Sequence, residues 1–203
     1  MFIVLEGIDG CGKSTQATRL VSHLKSLGRE VVHVREPGGT TLGETIRSLL
    51  LAPESEGKID ARAEALLYSA ARAELVHELL KPALAAGKTI VCERYLYSTL
   101  AYQGFGLDQD TAELQALSAY ATSRLKPDLV LLLDLDPNAA LARVKRDKDR
   151  IESRGASYLE RVREGYLRLS RREPERFVVI DASRKSEEVT ADLARAVEEH
   201  ATP

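Results

Sequence analysis

The chain has 203 residues, of which 44% are hydrophobic and 30% charged, a composition typical of a globular protein with one substantial core. A formal net charge of -2 provides no global basic field to hold nucleic acid, and no apolar run approaches the length of a membrane span. We therefore expect no nucleic-acid or membrane partner. Two cysteines are too few for a disulfide framework, which favours a reducing compartment, so we also expect a cytoplasmic protein.

Five short runs of β-branched or leucine-rich residues are continuously apolar, as expected of strands that are buried on both faces of a sheet. In chain order they are Phe2 to Glu6, Val31 to Val34, Thr89 to Cys92, Leu129 to Leu135, and Phe177 to Ile180. We predict a β-strand at each of these places.

Segments of helical length and period separate and follow these strands. In chain order they are Ser14 to Leu27, closed by Gly28; Thr41 to Leu51, begun by the capping-box spacing of Thr41 and Glu44; Asp60 to Ala86, closed by Gly87; Asp108 to Leu125; a helix begun at Pro137; and Ser186 to the C-terminus. The alternation predicts an α/β fold, a five-stranded parallel sheet with helices on both faces. No repeat or linker divides the sequence, so we expect one domain over residues 1–203.

The first predicted strand leads directly into a complete G-x-x-x-x-G-K-S/T phosphate loop, which a helix follows. Its residues are Gly7, Ile8, Asp9, Gly10, Cys11, Gly12, Lys13 and Ser14, with Thr15 next. In such a loop, backbone N–H groups and the helix dipole surround phosphate oxygens. Lys13 would reach the outer phosphates and the Ser14 hydroxyl would ligate Mg²⁺, so we predict that residues 7–15 bind ATP.

Two classes of phosphate-loop protein are disfavoured. A guanine switch protein needs an Asn/Thr-Lys-x-Asp element, but the only asparagine is Asn138, which two alanines follow. A nucleic-acid-remodelling ATPase needs a larger core and a basic face. A small kinase that transfers the γ-phosphoryl group of ATP remains.

Blocks of residues beyond the phosphate loop identify a family. In order they are Arg35-Glu36-Pro37-Gly38-Gly39-Thr40, Tyr68-Ser69-Ala70-Ala71-Arg72, Glu93-Arg94-Tyr95 with Ala101-Tyr102-Gln103-Gly104, Asp149-Arg150-Ile151-Glu152, and Val179-Ile180-Asp181-Ala182. With these blocks the chain resembles the thymidylate kinase family over nearly its whole length. The resemblance implies transfer of phosphate from ATP with Mg²⁺ to thymidine monophosphate (dTMP) in a homodimer. The alternatives are a deoxynucleoside kinase, another nucleoside monophosphate kinase, or a non-catalytic regulatory module that binds nucleotides.

The resemblance also implies a dTMP-binding site. Its residues are Asp9, Glu36, Pro37, Tyr68, Arg72, Arg94, Ser98, Tyr102 and Gln103. In the family pattern Tyr68 stacks on the pyrimidine, Arg72 donates to thymine O4, and Arg94 binds the acceptor phosphate. Tyr102 packs against the sugar and disfavours ribonucleotides.

The resemblance further implies that the arginine-rich run from Arg143 to Arg154 is a lid that closes over ATP, which we place at about residues 143–156 and expect to be mobile. Members carry a catalytic arginine either in the phosphate loop or in this lid. The loop interior has no arginine here, so the lid supplies it, with Arg146 and Arg150 the first choices and Arg143 and Arg154 still open. A solvated charged helix is the alternative interpretation.

Asp9, Lys13 and Arg94 complete the predicted catalytic set. The predicted Mg²⁺ ligands are Ser14 and Glu93, where the family usually has Asp. The loop after Gly104 also lacks the Arg-Gly of the family pattern. Cys11 lies in the phosphate loop after the first strand, and Cys92 ends the third strand. Because these strands are neighbours in the family's fold, we expect the two thiols to lie close together and hypothesise that their oxidation affects activity.

Overall fold

A parallel sheet forms the centre of the computed structural model, which describes residues 1–52, 59–143 and 150–201. Its strands are Phe2–Glu6 (β1), Val31–Arg35 (β2), Thr89–Glu93 (β3), Leu129–Asp134 (β4) and Phe177–Asp181 (β5). All neighbouring strands pair in parallel, in the order β2-β3-β1-β4-β5. Strands β1 and β3 are wholly buried, so their continuous apolar character reflects helices on both faces of the sheet. The predicted fold class is therefore confirmed.

Nine α-helices surround the sheet in the described part of the chain. They are Lys13–Ser26 (α1), Thr41–Leu51 (α2), Ala61–Leu75 (α3), Lys81–Ala85 (α4), Leu96–Thr99 (α5), Thr111–Ala121 (α6), Pro137–Arg143 (α7), Ala156–Arg172 (α8) and Ser186–Ala201 (α9). A π-helical segment, Val76–Leu80, joins α3 to α4, and a second, Leu100–Gly106, continues α5. None of the described helices is long and apolar enough to cross a bilayer.

The predicted bounds of α2 agree with the structure, but its cap and the start of α6 differ from the prediction, and the helix predicted from Asp60 to Ala86 is interrupted by the π-helical segment Val76–Leu80. Helix α2 is capped by Thr40, whose hydroxyl accepts from the Gly43 N–H, while Glu44 accepts from the Gly39 N–H. The capping function predicted for Thr41 therefore belongs to the preceding threonine. Helix α6 begins later than predicted because the Asp110 carboxylate accepts from the N–H groups of its first turn.

Helices α5 and α8 were not predicted, and the structure packs α8 against the π-helical segment after α5. The two approach so closely that a Cβ atom at Gly165 would lie 2.6 Å from the Phe105 ring. This packing holds the segment that carries Tyr102 and Gln103 against the rest of the protein. Short π-helical segments are frequent at functional sites.

The carboxyl ends of β1 and β3 lie side by side at the centre of the sheet. Strand order reverses at β1, and parallel sheets bind ligands at the carboxyl edge beside such a switch point. The phosphate loop follows β1, and Arg94 follows β3, with its N–H bonded to the Leu5 carbonyl at 2.9 Å. The topology thus brings two motifs that are remote in sequence to one edge.

Candidate active site

The phosphate loop owes its shape to glycines with positive φ. Gly7, Gly10 and Gly12 have φ values of 140°, 83° and 98°, which side chains rarely allow. A Cβ at Gly10 would also overlap the Ala140 carbonyl. The Lys13 ammonium is buried and donates to the carbonyls of Gly7 and Ile8 at 3.1 and 2.9 Å. The loop therefore places backbone N–H groups and a lysine around one concave site at the start of α1.

The predicted metal ligands Ser14 and Glu93 are in direct contact. Ser14 Oγ donates to Glu93 Oε2 at 2.5 Å, and His33 Nε2 lies 3.0 Å from the other carboxylate oxygen. Burial alone would raise the pKa of Glu93, but the bonds from His33 and Ser14 outweigh it and hold the pKa below its ordinary value. The carboxylate is therefore ionised at neutral pH.

Hard oxygen ligands beside a phosphate loop suit Mg²⁺, which keeps several waters and takes one or two protein oxygens together with phosphates. In the described part of the chain no three His, Cys, Asp or Glu side chains cluster as a metal site. The pair Ser14 and Glu93 thus fits a metal that arrives with the nucleotide rather than a cage built by the protein.

Arg94 connects the phosphate loop to the neighbouring pocket. Its backbone is left-handed, with φ of 68°, a conformation costly for a side chain and frequent at functional sites. The guanidinium donates to the Gly7 carbonyl at 3.1 Å and to Asp9 Oδ1 at 2.5 Å. It also donates to Ser98 Oγ at 3.2 Å and to the Tyr102 hydroxyl at 3.0 Å. One cation therefore contacts both the phosphate loop and side chains of the neighbouring pocket.

Asp9 is the counterion of Arg94. Burial by itself would raise its pKa, but Arg94, Lys13 and a hydrogen bond from the Tyr102 hydroxyl lower the pKa to about 2. Asp9 therefore stays ionised and acts as an acceptor, not as a proton donor. Its contacts hold Arg94 and Tyr102 in one geometry.

Beyond Arg94 a pocket opens between α2, α3 and the segment after β3, with about 600 Å³ of open volume including solvent at its mouth. It gathers all nine residues predicted for dTMP binding. The residues that line it are Asp9, Glu36, Pro37, Arg47, Leu51, Tyr68, Arg72, Arg94, Ser98, Thr99, Tyr102, Gln103 and Ile151. We call this the acceptor pocket.

At the base of the acceptor pocket, Arg72 is held by three protein groups. It donates to Glu36 Oε2 at 2.7 Å, to Thr99 Oγ1 at 2.9 Å and to the Tyr95 carbonyl at 3.0 Å, and is only 1% exposed. A guanidinium has five N–H donors, so these three bonds leave two. Arg72 can thus be fixed by the protein and still donate to a ligand.

Glu36 gives the folded protein a pH-dependent stability. Burial raises its pKa from 4.5 to about 7, against the lowering effect of Arg72. Since the folded protein then binds the proton more tightly than the unfolded chain, the free energy of unfolding falls as the pH rises between these values. We expect the stability of wild type relative to Glu36→Gln to fall by about 2 to 3 kcal/mol between about pH 5 and pH 8, measured by urea unfolding.

Glu44 provides the matched control, because its pKa is lowered, chiefly by the hydrogen bond from the Gly39 N–H. Glu44→Gln should show no such loss of relative stability with rising pH. If the difference in free energy of unfolding between wild type and Glu36→Gln does not change with pH, the raised pKa of Glu36 is contradicted.

Behind Arg94 lies a fully buried acid that sequence reasoning did not assign to the site. Glu6, the last residue of β1, accepts from the N–H of Tyr95 at 2.8 Å, from Ser98 Oγ at 2.6 Å and from the Tyr166 hydroxyl at 2.8 Å. These bonds fix the start of α5 and hence Arg94. An acid closing an otherwise apolar strand was the available signal.

The predicted lid is only partly described, and Arg146 lies outside the described residues. Arg150 is 2% exposed; its Nη2 lies 2.5 Å from Glu64 Oε2, and its Nε donates to the Leu50 carbonyl at 2.7 Å. Arg154 Nη2 donates to the same Glu64 oxygen at 2.6 Å. The described contacts thus place Arg150 and Arg154 against α2 and α3, beside the acceptor pocket.

A second groove lies beside the phosphate loop at the start of α1. Arg143 lines it and donates to the Ala182 carbonyl at 3.1 Å, while Gln16 Nε2 donates to the Ser186 carbonyl at 2.9 Å. Apart from the loop residues, this groove was not predicted. Its walls come from α7 and the loop after β5, which local sequence patterns do not bring together.

Cys11 and Cys92 are both free and buried. Burial raises the pKa of the Cys92 thiol well above its ordinary value, so little reactive thiolate forms there. Strands β1 and β3 are indeed neighbours. The hypothesis of redox control stays a prediction that the Cys92 environment does not favour.

The parallel sheet, the phosphate loop at its carboxyl edge, and the second pocket joined to that loop by Arg94 define a P-loop kinase. The family model for thymidylate kinase matches residues 5–193. Thymidylate kinases of Bifidobacterium longum (strain DJO10A) and Deinococcus radiodurans are 45% and 46% identical over 201 residues, which cover 98% of this chain and 98% and 97% of theirs. The crystal structure of thymidylate kinase from Ehrlichia chaffeensis superposes with a TM-score of 0.79 at 31% identity, covering 97% of this chain and 98% of that one. The chain therefore belongs to the thymidylate kinase family and is a phosphotransferase.

Proposed function

We propose that this protein transfers the γ-phosphoryl group of ATP to the phosphate of dTMP. Arg94 carries this proposal, because one guanidinium contacts Gly7 and Asp9 of the phosphate loop and Ser98 and Tyr102 of the acceptor pocket. A cation in that position can align an acceptor phosphate with the donor and neutralise charge in the transition state. Because the acceptor phosphate is already largely dianionic at neutral pH, no strong general base is required.

The acceptor pocket offers groups suited to a pyrimidine nucleotide. Tyr68 and Pro37 provide flat apolar surface for the base, and Arg72 has N–H donors left for a carbonyl such as thymine O4. Tyr102, whose hydroxyl is bonded to Asp9 at 2.8 Å, lies where the sugar would join base and phosphate. A rigid ring there would disfavour a 2′-hydroxyl.

The donor side is assigned to the phosphate loop and the groove beside it. Residues 7–15 would hold the phosphates of ATP, and the groove at Arg143 and Ala182 would take its base and sugar. Ser14 and Glu93 would hold Mg²⁺, which when bound neutralises phosphate charge. Lys13 leaves the loop carbonyls for the outer phosphates, and Asp9 keeps Arg94 oriented.

A substrate panel tests the function. ADP release should require ATP, Mg²⁺ and dTMP, with much lower rates for deoxycytidylate and uridylate and none for thymidine. Activity with thymidine but none with dTMP would indicate a deoxynucleoside kinase. ATP binding without turnover on any added nucleotide would indicate a regulatory module.

We further propose a homodimer in the cytoplasm, where ATP is available. Leu66 of α3 is 57% exposed, and Leu42 and Leu49 of α2, which packs against α3, are 45% and 50% exposed. We propose that these leucines form one exposed apolar patch, the kind of surface that marks a protein–protein interface. Tyr120 of α6 is 87% exposed, and α6 also packs against α3.

Leu66→Asp should convert the dimer to a monomer in sedimentation velocity, since it places a charge in the proposed interface. Leu27, which is 54% exposed at the end of α1, provides the control, and Leu27→Asp should remain dimeric. If wild type is a monomer, or if Leu66→Asp forms a dimer of unchanged affinity, this face is not the dimer interface.

A further inference from the structure

A buried carboxylate lies behind the acceptor pocket and joins it to the described end of the predicted lid. Glu64 of α3 has no exposed surface and accepts from Gln103 Nε2 at 2.8 Å. Arg154 Nη2 donates to its other oxygen at 2.6 Å, and Arg150 Nη2 lies 2.5 Å from that oxygen. Arg154 Nη1 also donates to the oxygen that accepts from Gln103, at the longer distance of 3.2 Å. One acid thus binds two arginines, which approach one of its oxygens most closely, and a pocket side chain.

The charge of Glu64 decides which way the Gln103 amide faces. Burial by itself would raise the pKa of Glu64, but Arg154, Gln103 and Arg150 together hold the pKa below its ordinary value. An ionised carboxylate only accepts hydrogen bonds, so Gln103 must direct its NH₂ group toward it. The Gln103 carbonyl is then turned away from Glu64, on a side chain that lines the acceptor pocket.

We propose that Glu64 is a positioning residue that fixes the Gln103 carbonyl toward the bound base and thereby favours thymine over cytosine. The inference rests on the proposed function and extends it to a residue outside the pocket lining. Thymine presents an N3–H donor beside the O4 acceptor, which the Gln103 carbonyl and the Arg72 guanidinium complement. Cytosine presents an N3 acceptor beside an amino donor, so both contacts are mismatched.

Glu64→Gln tests this because it changes a hydrogen-bond pattern with almost no change in shape. The new side-chain carbonyl would stay at the Oε2 position, where both arginines approach within 2.6 Å and can only donate. The new NH₂ group would take the Oε1 position, where it loses the longer bond from Arg154 Nη1 and faces Gln103. Gln103 would then rotate its carbonyl toward position 64 and present NH₂ to the base. We expect the ratio of kcat/KM for dTMP to that for deoxycytidylate to fall about tenfold to a hundredfold.

Arg154→Lys is the matched control, since it disturbs the same cluster but leaves the Glu64 carboxylate. This variant should keep the wild-type ratio even if its stability falls. In a double-mutant cycle, Glu64→Gln should have no effect on the ratio when Gln103 is Leu, because no amide remains to be oriented. A ratio that is unchanged in Glu64→Gln, or that changes equally in the Gln103→Leu background, would overturn the proposal.

A second measurement needs no variant at position 64. The side-chain amide protons of Gln103, identified in ¹⁵N spectra by their loss in Gln103→Leu, should change little when dTMP binds, because the base contacts the carbonyl. A large shift of these protons on binding would show that NH₂ faces the base and would overturn the proposal. If wild type does not phosphorylate dTMP at all, the proposed function fails first, and the inference fails with it.

Discussion

Arg94→Gln is expected to lower kcat/KM for dTMP by about a hundredfold to a thousandfold and to leave ATP binding nearly unchanged. The guanidinium is only 15% exposed and is fixed by Asp9, with the Tyr102 ring 4.8 Å from its centre. A cation held in place before the reaction needs no reorganisation when charge develops on the transferred group. Glutamine retains two donors but neither the charge nor the reach. Steady-state kinetics and calorimetric titration with each nucleotide provide the measurement.

The control for this substitution is a second arginine with a left-handed backbone. Arg124 has φ of 61° and is exposed outside the acceptor pocket, so Arg124→Gln reproduces the change in side chain and backbone preference without touching the site. Its kcat/KM should stay within about twofold of wild type, as surface changes usually do. If Arg94→Gln weakens ATP and dTMP binding alike, Arg94 maintains the phosphate loop instead of binding the acceptor.

The strands and the phosphate loop could be predicted because their signals are local. A run such as Phe2 to Glu6 is apolar throughout, and the loop motif has fixed spacing and a required context. Helix α8 was missed although Tyr158, Val162 and Tyr166 recur at helical spacing on its buried face. Its many charged residues masked that period.

The contacts that orient the site could not be predicted, because they join residues remote in sequence. Arg72 contacts Glu36 at the base of the pocket, and Glu64 contacts Gln103 and two arginines of the predicted lid. In the sequence, each of these residues belongs to a predicted helix or to one of the family motifs. No local pattern indicates which acidic side chain pairs with which basic one. A buried partner is visible only once the helices are packed.

The lid arginines illustrate the same limit. From the sequence alone, Arg146 and Arg150 are equally good candidates for the catalytic cation. In the structure, however, Arg150 is buried, and its guanidinium lies against the ionised Glu64. A charge neutralised by a buried carboxylate contributes little to a phosphoryl group elsewhere. We therefore propose that Arg146 takes part in the chemistry and that Arg150 anchors the described end of the lid.

Arg146→Ala should then lower kcat by about a thousandfold or more, while the Kd for dTMP and the Tm stay near wild type. The phosphate-loop interior, Ile8 to Cys11, has no arginine to compensate. Arg150→Ala should instead lower the Tm, because it removes one of the two cations that contact the buried Glu64 among the described residues. Single-turnover kinetics with both variants, alongside thermal unfolding, separates the two effects. Full turnover in Arg146→Ala would overturn the assignment, because another arginine would then supply the charge. Abolished turnover at unchanged Tm in Arg150→Ala would reverse it, because Arg150 would have to leave Glu64 and reach the phosphates.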